Sequence, residues 1–311
     1  METVQGISQF KSSENTAITI GTFDGVHIGH RRILERLINN AKKTGTRSTV
    51  LTFFPHPRMV LQKDANIKLL NTLAEKEQIL KEMGLDYLIV HPFTKEFSRL
   101  SAMEFVRDVL VNTLQTKSVV IGYDHRFGRN RNASIQDLIG FGNTFDFQVE
   151  EIPAQEIDEV SVSSTKIRNA LLNGDIQTAN RYLGYQYMLT GKVVAGRGLG
   201  KDLGFPTANI KIEESYKLIP QNGVYIVRCE FDGRNIDGMM NIGVNPTVNG
   251  SVKSIEVNLF NIDQDLYDKK ITIRLHKKIR DEHKFDSLQA LSEQLSLDKT
   301  IALDFFKNEA P

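Results

Sequence analysis

Cysteine, tryptophan and long apolar runs are scarce in this chain of 311 residues, which has one cysteine and no tryptophan. A single cysteine excludes an intramolecular disulfide and fits a reducing compartment. Its position in the apolar run 224–229 indicates a buried strand thiol rather than a nucleophile. No stretch approaches the roughly 18 consecutive apolar residues of a membrane span, and residues 1–11 lack the core of a signal peptide. We expect a cytoplasmic protein without a membrane partner.

An excess of charge of either sign is missing as well. Lysine and arginine total 39, aspartate and glutamate total 38, and the formal net charge is +1. A dedicated nucleic-acid binder would carry a basic excess. We therefore expect small-molecule partners, no nucleic acid and no obligate protein partner, so any phosphate must be bound by local geometry.

Short apolar runs alternate with helical patterns over about the first 180 residues. Strands are predicted at 17–23, 48–54, 87–90, 118–122 and 147–152. Apolar spacing indicates a helix around 33–41, capping boxes open two more at Thr72 and Ser101, and a fourth is expected from about Ser134. Such alternation favours a parallel sheet covered by helices, which binds ligands at the carboxyl ends of its strands.

The pattern changes near Gly184. Consecutive strands are predicted at 187–195, 224–230, 234–242, 254–260 and 270–279, with a hairpin turn at Asp232-Gly233, and a final helix carries apolar residues between Leu288 and Phe305. We predict a Rossmann-like α/β domain at 1–184. The domain at 185–311 is predicted to be a small antiparallel β-barrel with a terminal helix.

The segment Gly21-Thr22-Phe23-Asp24-Gly25-Val26-His27-Ile28-Gly29-His30 leaves a strand and enters a helix. A helix N-terminus attracts anions, the glycines allow close backbone approach, and two histidines can stabilise charge on a leaving pyrophosphate. Two surface histidines beside an ordinary turn are the plain alternative. A zinc site is disfavoured because a third ligand and the H-E-x-x-H form are missing.

Three further segments carry suitable chemistry. In 162–168, Ser164 and Thr165 can cap a helix or bind phosphate, and Arg168 lies one turn on, where it can pair with phosphate. The segments 53–58 and 122–128 each end a strand with aromatic and basic side chains. Taken alone, these aromatics are more typical of a core.

The His-x-Gly-His string after a first strand resembles the nucleotidyltransferase superfamily. Together the four segments resemble the FAD synthetase module of bacterial bifunctional flavin enzymes, over roughly residues 15–180. The resemblance implies catalytic roles for His27 and His30 and ATP contacts at Gly21, Phe23, Asp24, His27, Gly29, His30, Ser164, Thr165 and Arg168. It also implies a flavin pocket at Phe54, Pro55, His56, Arg58, Asp124 and Phe127. His125 is a departure, since many relatives have an aromatic there.

The stretch from Gly191 to Asn209 is the most specific in the chain. Its glycines permit a loop whose N–H groups wrap phosphates, although it has neither the Walker A string nor the helix that would follow a Rossmann fingerprint. A glycine-rich hairpin is the alternative on the glycines alone. With Pro206-Thr207-Ala208-Asn209, the segment closely resembles the riboflavin kinase family, and that resemblance covers about 185–306.

By this resemblance, Thr207 and Asn209 hold a magnesium ion that bridges the ATP phosphates, which suits their oxygen ligands. ATP contacts are implied at Gly191, Gly196, Gly198, Gly200, Lys201, Thr207 and Asn209. Flavin contacts are implied at Arg280, Glu282 and Phe285. Lys201 stands where arginine is usual.

Glu256 shares a strand face with Asn258. A solvent-facing glutamate is the alternative reading from the residues. The resemblance implies that Glu256 is a general base for the riboflavin hydroxyl. Asn258, where relatives often have histidine, has no assigned role.

Three functions follow as hypotheses. The first is a bifunctional enzyme that uses ATP to phosphorylate riboflavin to FMN in the C-terminal domain and to adenylylate FMN to FAD in the N-terminal domain. The second is a nucleotidyltransferase with another substrate, since His-Ile-Gly-His also fits a tRNA synthetase, although the Lys-Met-Ser-Lys-Ser string is missing. The third is a flavin-binding or regulatory module without catalysis, which the joint presence of Glu256, Thr207 and Asn209 disfavours.

Overall fold

The computed structural model describes residues 1–62, 66–153, 162–196, 200, 203–247, 250–262 and 264–309, without the side chains of 245–247, 250–252 and 309. Internal contacts group the chain into two compact units, Met1–Ser164 and Thr165–Pro311. Among the described residues, no helix is both long enough and apolar enough to cross a membrane.

The first unit is built on a six-stranded sheet in the order β1-β4-β3-β2-β5-β6. All neighbouring strands are parallel, as predicted. The strands are β1 (Glu2–Gln5), β2 (Thr16–Ile20), β3 (Arg47–Phe53), β4 (Tyr87–His91), β5 (Thr116–Gly122) and β6 (Gln148–Ile152). Strand order reverses between β2 and β5, and parallel sheets open a ligand crevice at such a point.

Helices connect these strands. They are α1 (Ile28–Thr44), α2 (Pro57–Leu61), α3 (Leu73–Glu82), α4 (Ala102–Glu104) and α5 (Ile135–Phe145). Both predicted capping boxes are formed, and a third begins α5 at Ser134. The helix predicted after Ser101 differs in kind, since α4 continues as a π-helix over Phe105–Thr113.

A core of aliphatic and aromatic side chains fills one side of the sheet. Ile18, Leu51 and Ile89 from neighbouring strands are fully buried, together with Leu110 and Val119. Burying each side chain of this size contributes roughly 1.5–3 kcal/mol. The sheet is therefore a rigid base for the loops at its carboxyl edge.

The second unit is a closed antiparallel barrel in the order β10-β11-β8-β7-β12-β9. Its strands are β7 (Met188–Val194), β8 (Ala208–Lys211), β9 (Gly223–Phe231), β10 (Arg234–Thr247), β11 (Gly250–Leu259) and β12 (Lys270–Arg280). The remaining helices are α6 (Ser164–Leu172), α7 (Ile176–Leu183) and α8 (Leu288–Glu309). The predicted barrel and terminal helix are confirmed.

Two local predictions in the barrel are also confirmed. Asp232 and Gly233 have φ of 48° and 69°, as a two-residue hairpin between β9 and β10 requires. Cys229 is fully buried on β9, and burial raises the pKa of its thiol to about 12. The thiol is therefore structural rather than nucleophilic.

Candidate active sites

Three of the predicted site segments meet at one edge of the parallel sheet. Residues 21–30 follow β2, residues 54–58 follow β3, and residues 123–128 follow β5. Since β3, β2 and β5 are adjacent and parallel, their carboxyl ends lie side by side. The structure thus brings together segments that are about 100 residues apart in sequence.

His27 and His30 form a stacked pair at the start of α1. His27 caps the helix, because its Nδ1 accepts a hydrogen bond from the His30 N–H at 3.3 Å. The two imidazole rings lie 3.6 Å apart at an interplanar angle of 14°. An accepting Nδ1 puts the ring proton of neutral His27 on Nε2, which is then a donor.

Burial controls the charge of this pair. It lowers the pKa of His27 to about 4, against a smaller opposing effect of Asp24. The pKa of His30 lies well below its ordinary value because of burial, then His27, then Lys76. Both rings are neutral near pH 7, and the buried His30 Nδ1 has no hydrogen-bond partner within the described part of the chain.

The turn that leads to His27 has a strained backbone and is held by hydrogen bonds from residues outside the turn. Phe23 and Val26 have φ of 44° and 37°, a region that non-glycine residues rarely adopt, and this explains why β2 ends before the predicted residue 23. The Asp24 carboxylate accepts from the Leu70 N–H at 2.8 Å, and its carbonyl accepts from the Ser164 hydroxyl at 2.9 Å. The structure therefore joins the predicted ATP contacts Asp24 and Ser164.

Lys76 is a site residue that the sequence reasoning missed. Its ammonium donates to the Thr22 carbonyl at 2.6 Å, and the residue is only 6% exposed. A lysine in a helical pattern ordinarily predicts a solvent-facing side chain. The capping box immediately before it was the only signal that this turn of α3 is fixed in place.

Aromatic side chains continue along the same edge. Phe127 is 7% exposed and lies against Phe105 and His125 at ring distances of 6.1 and 6.2 Å. Phe53 packs against Phe97 at 5.5 Å, an extension of the cluster that was not predicted. Burial lowers the pKa of His125 to about 4.

The other predicted flavin residues lie on the loops beside this cluster. Phe54 and Pro55 are joined by a cis peptide bond. His56 caps α2 by accepting from the Arg58 N–H at 3.2 Å, and Asp124 is exposed. Thr165 and Arg168 lie on α6 in the second unit, and their contacts with ATP stay predictions.

In the barrel, Glu256 lies between two asparagines. It is directly opposite Asn209 on β8 and Asn241 on β10, and directly opposite residues of an antiparallel pair share one face. All three are half-buried. The result is a carboxylate flanked by two amides, of which Asn241 was not predicted.

Asn209, Glu256 and Asn241 form a row across three strands, the Glu256 row. Close packing holds the glycine-rich segment against this row. A Cβ on Gly196 would overlap the Asn209 amide, one on Gly191 would lie 2.7 Å from the Lys211 carbonyl, and one on Gly200 would meet the Phe205 carbonyl. Thr207 is half-buried just before β8. The predicted contacts Gly198 and Lys201 lie outside the described residues.

Asn258, which had no assigned role, has one in the structure. Its Nδ2 donates to the Pro206 carbonyl at 2.7 Å, and the residue is 6% exposed. Pro206 directly precedes Thr207. Asn258 therefore fixes the approach to β8.

The end of β12 and the segment after it are held by an ion pair and a side-chain hydrogen bond. The Arg280 guanidinium bonds both oxygens of the fully buried Asp298 carboxylate on α8, at 2.8–3.1 Å, and lies 5.6 Å from the Phe285 ring centroid. Glu282 accepts from Asn222 at 3.0 Å. Its carboxylate and the Asn241 amide both lie beside Gly243, so this segment borders the Glu256 row.

Taken together, a parallel α/β sheet with His-x-Gly-His at a helix N-terminus and a barrel with a glycine-rich loop define a class of nucleotide-dependent group-transfer proteins. The comparisons specify that class. The sequence profile of the FAD synthetase family matches residues 9–166, and that of the riboflavin kinase family matches residues 183–306.

Full-length relatives agree with the two profiles. The bifunctional riboflavin kinase/FMN adenylyltransferase of Buchnera aphidicola subsp. Schizaphis graminum is 36% identical, covering 98% of this chain and 99% of the relative. That of Escherichia coli strain K12 is 35% identical, covering 98% of each. A crystal structure described as a macrolide-efflux protein from Streptococcus pneumoniae has a TM-score of 0.88 at 30% identity, covering 96% of this chain and 98% of that one.

The chain belongs to the bifunctional riboflavin kinase/FMN adenylyltransferase family. It is a transferase with two activities, which phosphorylate riboflavin to FMN and adenylylate FMN to FAD. The FAD synthetase module is N-terminal and the riboflavin kinase module C-terminal. ATP and flavins are the substrates that these activities imply, so the first of the three hypotheses is confirmed.

Proposed function

We propose that adenylyl transfer takes place at the N-terminus of α1, where His27 and His30 donate to the triphosphate of ATP. The observation that carries this assignment is the stacked, neutral imidazole pair at the carboxyl edge between β2 and β5. Gly21, Phe23, Asp24, Gly29 and Ser164 are proposed as further ATP contacts. Roles for Thr165 and Arg168 stay predictions from the sequence pattern.

In this step the FMN phosphate oxygen forms a bond to the α-phosphorus of ATP. The bond between that phosphorus and the bridging oxygen of pyrophosphate breaks, and no covalent enzyme intermediate forms. Negative charge then builds on the departing pyrophosphate. The N-terminus of α1 and the imidazole N–H groups offset that charge.

The flavin of FMN is proposed to contact Phe54, Pro55, His56, Arg58, Asp124 and Phe127. The support is positional, since β3 and β5 flank β2 and both loops therefore border the histidine turn. Aromatic rings that stack in offset or edge-on arrangements suit a planar ligand.

We propose that Glu256 is the general base of the kinase. Its carboxylate takes the proton from the riboflavin 5′-hydroxyl as that oxygen forms a bond to the γ-phosphorus of ATP and ADP leaves. Support comes from the position of Glu256 between Asn209 and Asn241. The glycines at 191, 196, 198 and 200, with Lys201, are proposed to border the ATP phosphates, and Arg280, Glu282 and Phe285 the flavin.

Thr207 and Asn209 are proposed to hold Mg²⁺, which when bound neutralises charge on the ATP phosphates. Hydroxyl and amide oxygens are ligands that this hard cation accepts. Within the described residues no group of three or more His, Cys, Asp or Glu side chains is arranged for a metal.

We propose the domain boundary at residue 184, with modules at 1–184 and 185–311. Gly184 is the left-handed C-cap of α7, and the riboflavin kinase profile starts at residue 183. The lone buried cysteine supports a reducing compartment, which we propose is the cytoplasm.

Two substitutions in the full chain test the site assignments. Glu256→Gln is expected to lower FMN formation about 100-fold or more by removing the base, with FAD formation from supplied FMN unchanged. His30→Ala is expected to do the reverse. Chromatography of products after incubation with Mg-ATP and either riboflavin or FMN measures both reactions.

Matched controls are Glu213→Gln and His283→Ala, because both side chains are exposed. Glu213→Gln is expected to leave both activities intact. His283→Ala is expected to leave FAD formation intact, and its ring packs edge-on against the proposed kinase flavin contact Phe285 at 5.2 Å. Loss of both activities from either test variant, in a protein that is still folded, would show that the sites are assigned to the wrong modules.

A further inference from the structure

Lys76 is buried in the adenylyltransferase module although no part of the known reaction is assigned to it. It lies in the first turn of α3 at 6% exposure, and its Nζ donates to the Thr22 carbonyl at 2.6 Å. Lysine is almost never buried unless its charge is paired. Keeping an ammonium here costs solvation free energy, so its surroundings must compensate.

Those surroundings are the nucleotide turn itself. Thr22 directly precedes Phe23, and Asp24, which is 3% exposed, accepts from the Leu70 N–H at 2.8 Å. The stretch 70–76 therefore holds residues 22–24 at two points, one through Leu70 and one through Lys76. Both contacts lie upstream of His27 in the same turn.

A capping box fixes the position of Lys76. Thr72 and Glu75 form a reciprocal capping box at 3.1 and 2.9 Å, and both residues are at most 2% exposed. A buried capping box fixes the backbone of the first helical turn. Lys76 follows Glu75, so its side chain leaves a rigid base.

The charge of Lys76 acts on His30. Burial lowers the pKa of Lys76 to about 8, and Asp24 opposes this change, so the ammonium keeps most of its charge near pH 7. That charge contributes to the lowered pKa of His30, after burial and His27. Asp24, His27, His30 and Lys76 are thus one coupled group at the start of α1.

We propose that Lys76 is a positioning residue for adenylyl transfer, which holds the 22–24 turn through the Thr22 carbonyl and supplies a fixed positive charge beside His30. This inference rests on the assignment of His27 and His30 to the triphosphate. A fixed cation beside His30 helps to keep that imidazole a neutral donor and offsets charge that develops on pyrophosphate. It needs no reorganisation during the reaction.

The test compares Lys76→Met with Lys81→Met in the full-length protein. Lys81 lies on the same helix and is exposed. Lys76→Met is expected to lower kcat for FAD formation by about 10-fold or more, while KM for ATP changes less than about threefold, since the lost interaction acts mainly in the transition state. Lys81→Met and the riboflavin kinase activity of both variants are expected to match the parent protein.

A second measurement separates positioning from plain structural support. Titration of the histidine ring signals by NMR is expected to give a higher pKa for His30 in Lys76→Met than in Lys81→Met, because a nearby positive charge has been removed. A lysine that supports the fold only through the Thr22 hydrogen bond, without a charge effect on His30, would not move this value. If Lys76→Met does not fold, Lys76→Gln takes its place, since it keeps an N–H donor and removes the charge.

The outcomes are separable. FAD formation at the parent rate in a folded Lys76 variant, or an unchanged His30 titration, overturns the inference. If His30→Ala retains FAD formation, the histidine assignment fails first and Lys76 loses its proposed partner. If His30→Ala abolishes FAD formation and Lys76→Met does not affect it, only the role of Lys76 is wrong.

Discussion

Gly196 lies so close to the Asn209 side-chain amide that a Cβ atom at position 196 would overlap it. Gly196→Ala must therefore displace either the loop or the Asn209 amide, which is proposed to hold Mg²⁺. We expect kcat of the riboflavin kinase to fall by about 10-fold or more, as small displacements in a catalytic site commonly do. FAD formation from supplied FMN is expected to stay unchanged, and both rates are measured on one preparation.

The matched control is Gly140→Ala in α5. A Cβ at Gly140 meets nothing within 4 Å, and alanine in a helix interior is roughly 0.5–1 kcal/mol more favourable than glycine. We expect slightly higher thermal stability and unaltered activities. Full kinase activity in Gly196→Ala would mean that the tight approach plays no part in the working site.

At single positions, sequence patterns indicated candidate site residues but not their contacts. The His-x-Gly-His string indicated a phosphate site at His27 and His30, and the structure shows a stacked neutral pair. Lys76 could not be predicted, since its burial depends on how α3 packs against a distant turn. Asn241 was missed because strand register, which the sequence does not specify, brings it opposite Glu256.

Element by element, strands with long apolar runs were predicted and short ones were not. β1 and β8 have four residues each, too few to give a distinct alternation. The π-helix at Phe105–Thr113 was also out of reach, because its apolar spacing is that of an ordinary helix. Capping boxes were the most informative local signals, since each depends on two residues three apart.

The capping box of α3 offers a test at this scale. Thr72→Ala removes the acceptor of the Glu75 N–H and is expected to lower the free energy of unfolding of its module by about 1 kcal/mol. It should also lower FAD formation, because the turn it loosens contains Lys76. Calorimetry and the two activity assays on the full chain measure these effects.

Ser134→Ala in α5 removes an equivalent capping box on a helix that carries none of the proposed site residues. A similar loss of stability without loss of FAD formation is expected there. If the two substitutions affect FAD formation equally, the effect comes from general destabilisation and not from the position of α3.

At the scale of the whole molecule, each compact unit has its own proposed site and its own reaction. The α/β pattern and the run of consecutive strands were enough to predict both architectures, because periodicity reflects which faces are buried. Sequence could not supply the pairings of β8 with β11 and of β12 with β7 and β9, which complete the barrel, since these strands lie far apart in the chain. Because each module catalyses its own reaction, the rate of FAD formation reports on the first unit and the rate of FMN formation reports on the second.

Acid should weaken the first unit more than the second. Burial lowers the pKa of His27 and His125 to about 4, and it also lowers that of His30 and His91. All four lie in Met1–Ser164. Against these four, the second unit has one buried histidine, His276, and one exposed histidine, His283.

The direction of this acid effect on stability follows from proton binding. A histidine that titrates near 6.5 when unfolded and near 4 when folded takes up protons in the unfolded state first, so stability is complete above about pH 6.5 and is lost as the pH falls towards 4. Samples heated at pH 7.5 and at pH 5, then assayed at pH 7.5, are expected to lose FAD formation at a lower temperature after the acid treatment. The inactivation temperature of FMN formation should move less.

His125→Gln makes the argument specific to one residue. Glutamine stays neutral at every pH, so this substitution removes one of the four acid-sensitive groups and should narrow the gap between pH 7.5 and pH 5 for FAD formation. His283→Gln, which changes an exposed histidine, should leave that gap as it is. An equal acid shift of the two activities in the parent protein would contradict the assignment, because the buried histidines would then not determine the acid stability of the first unit.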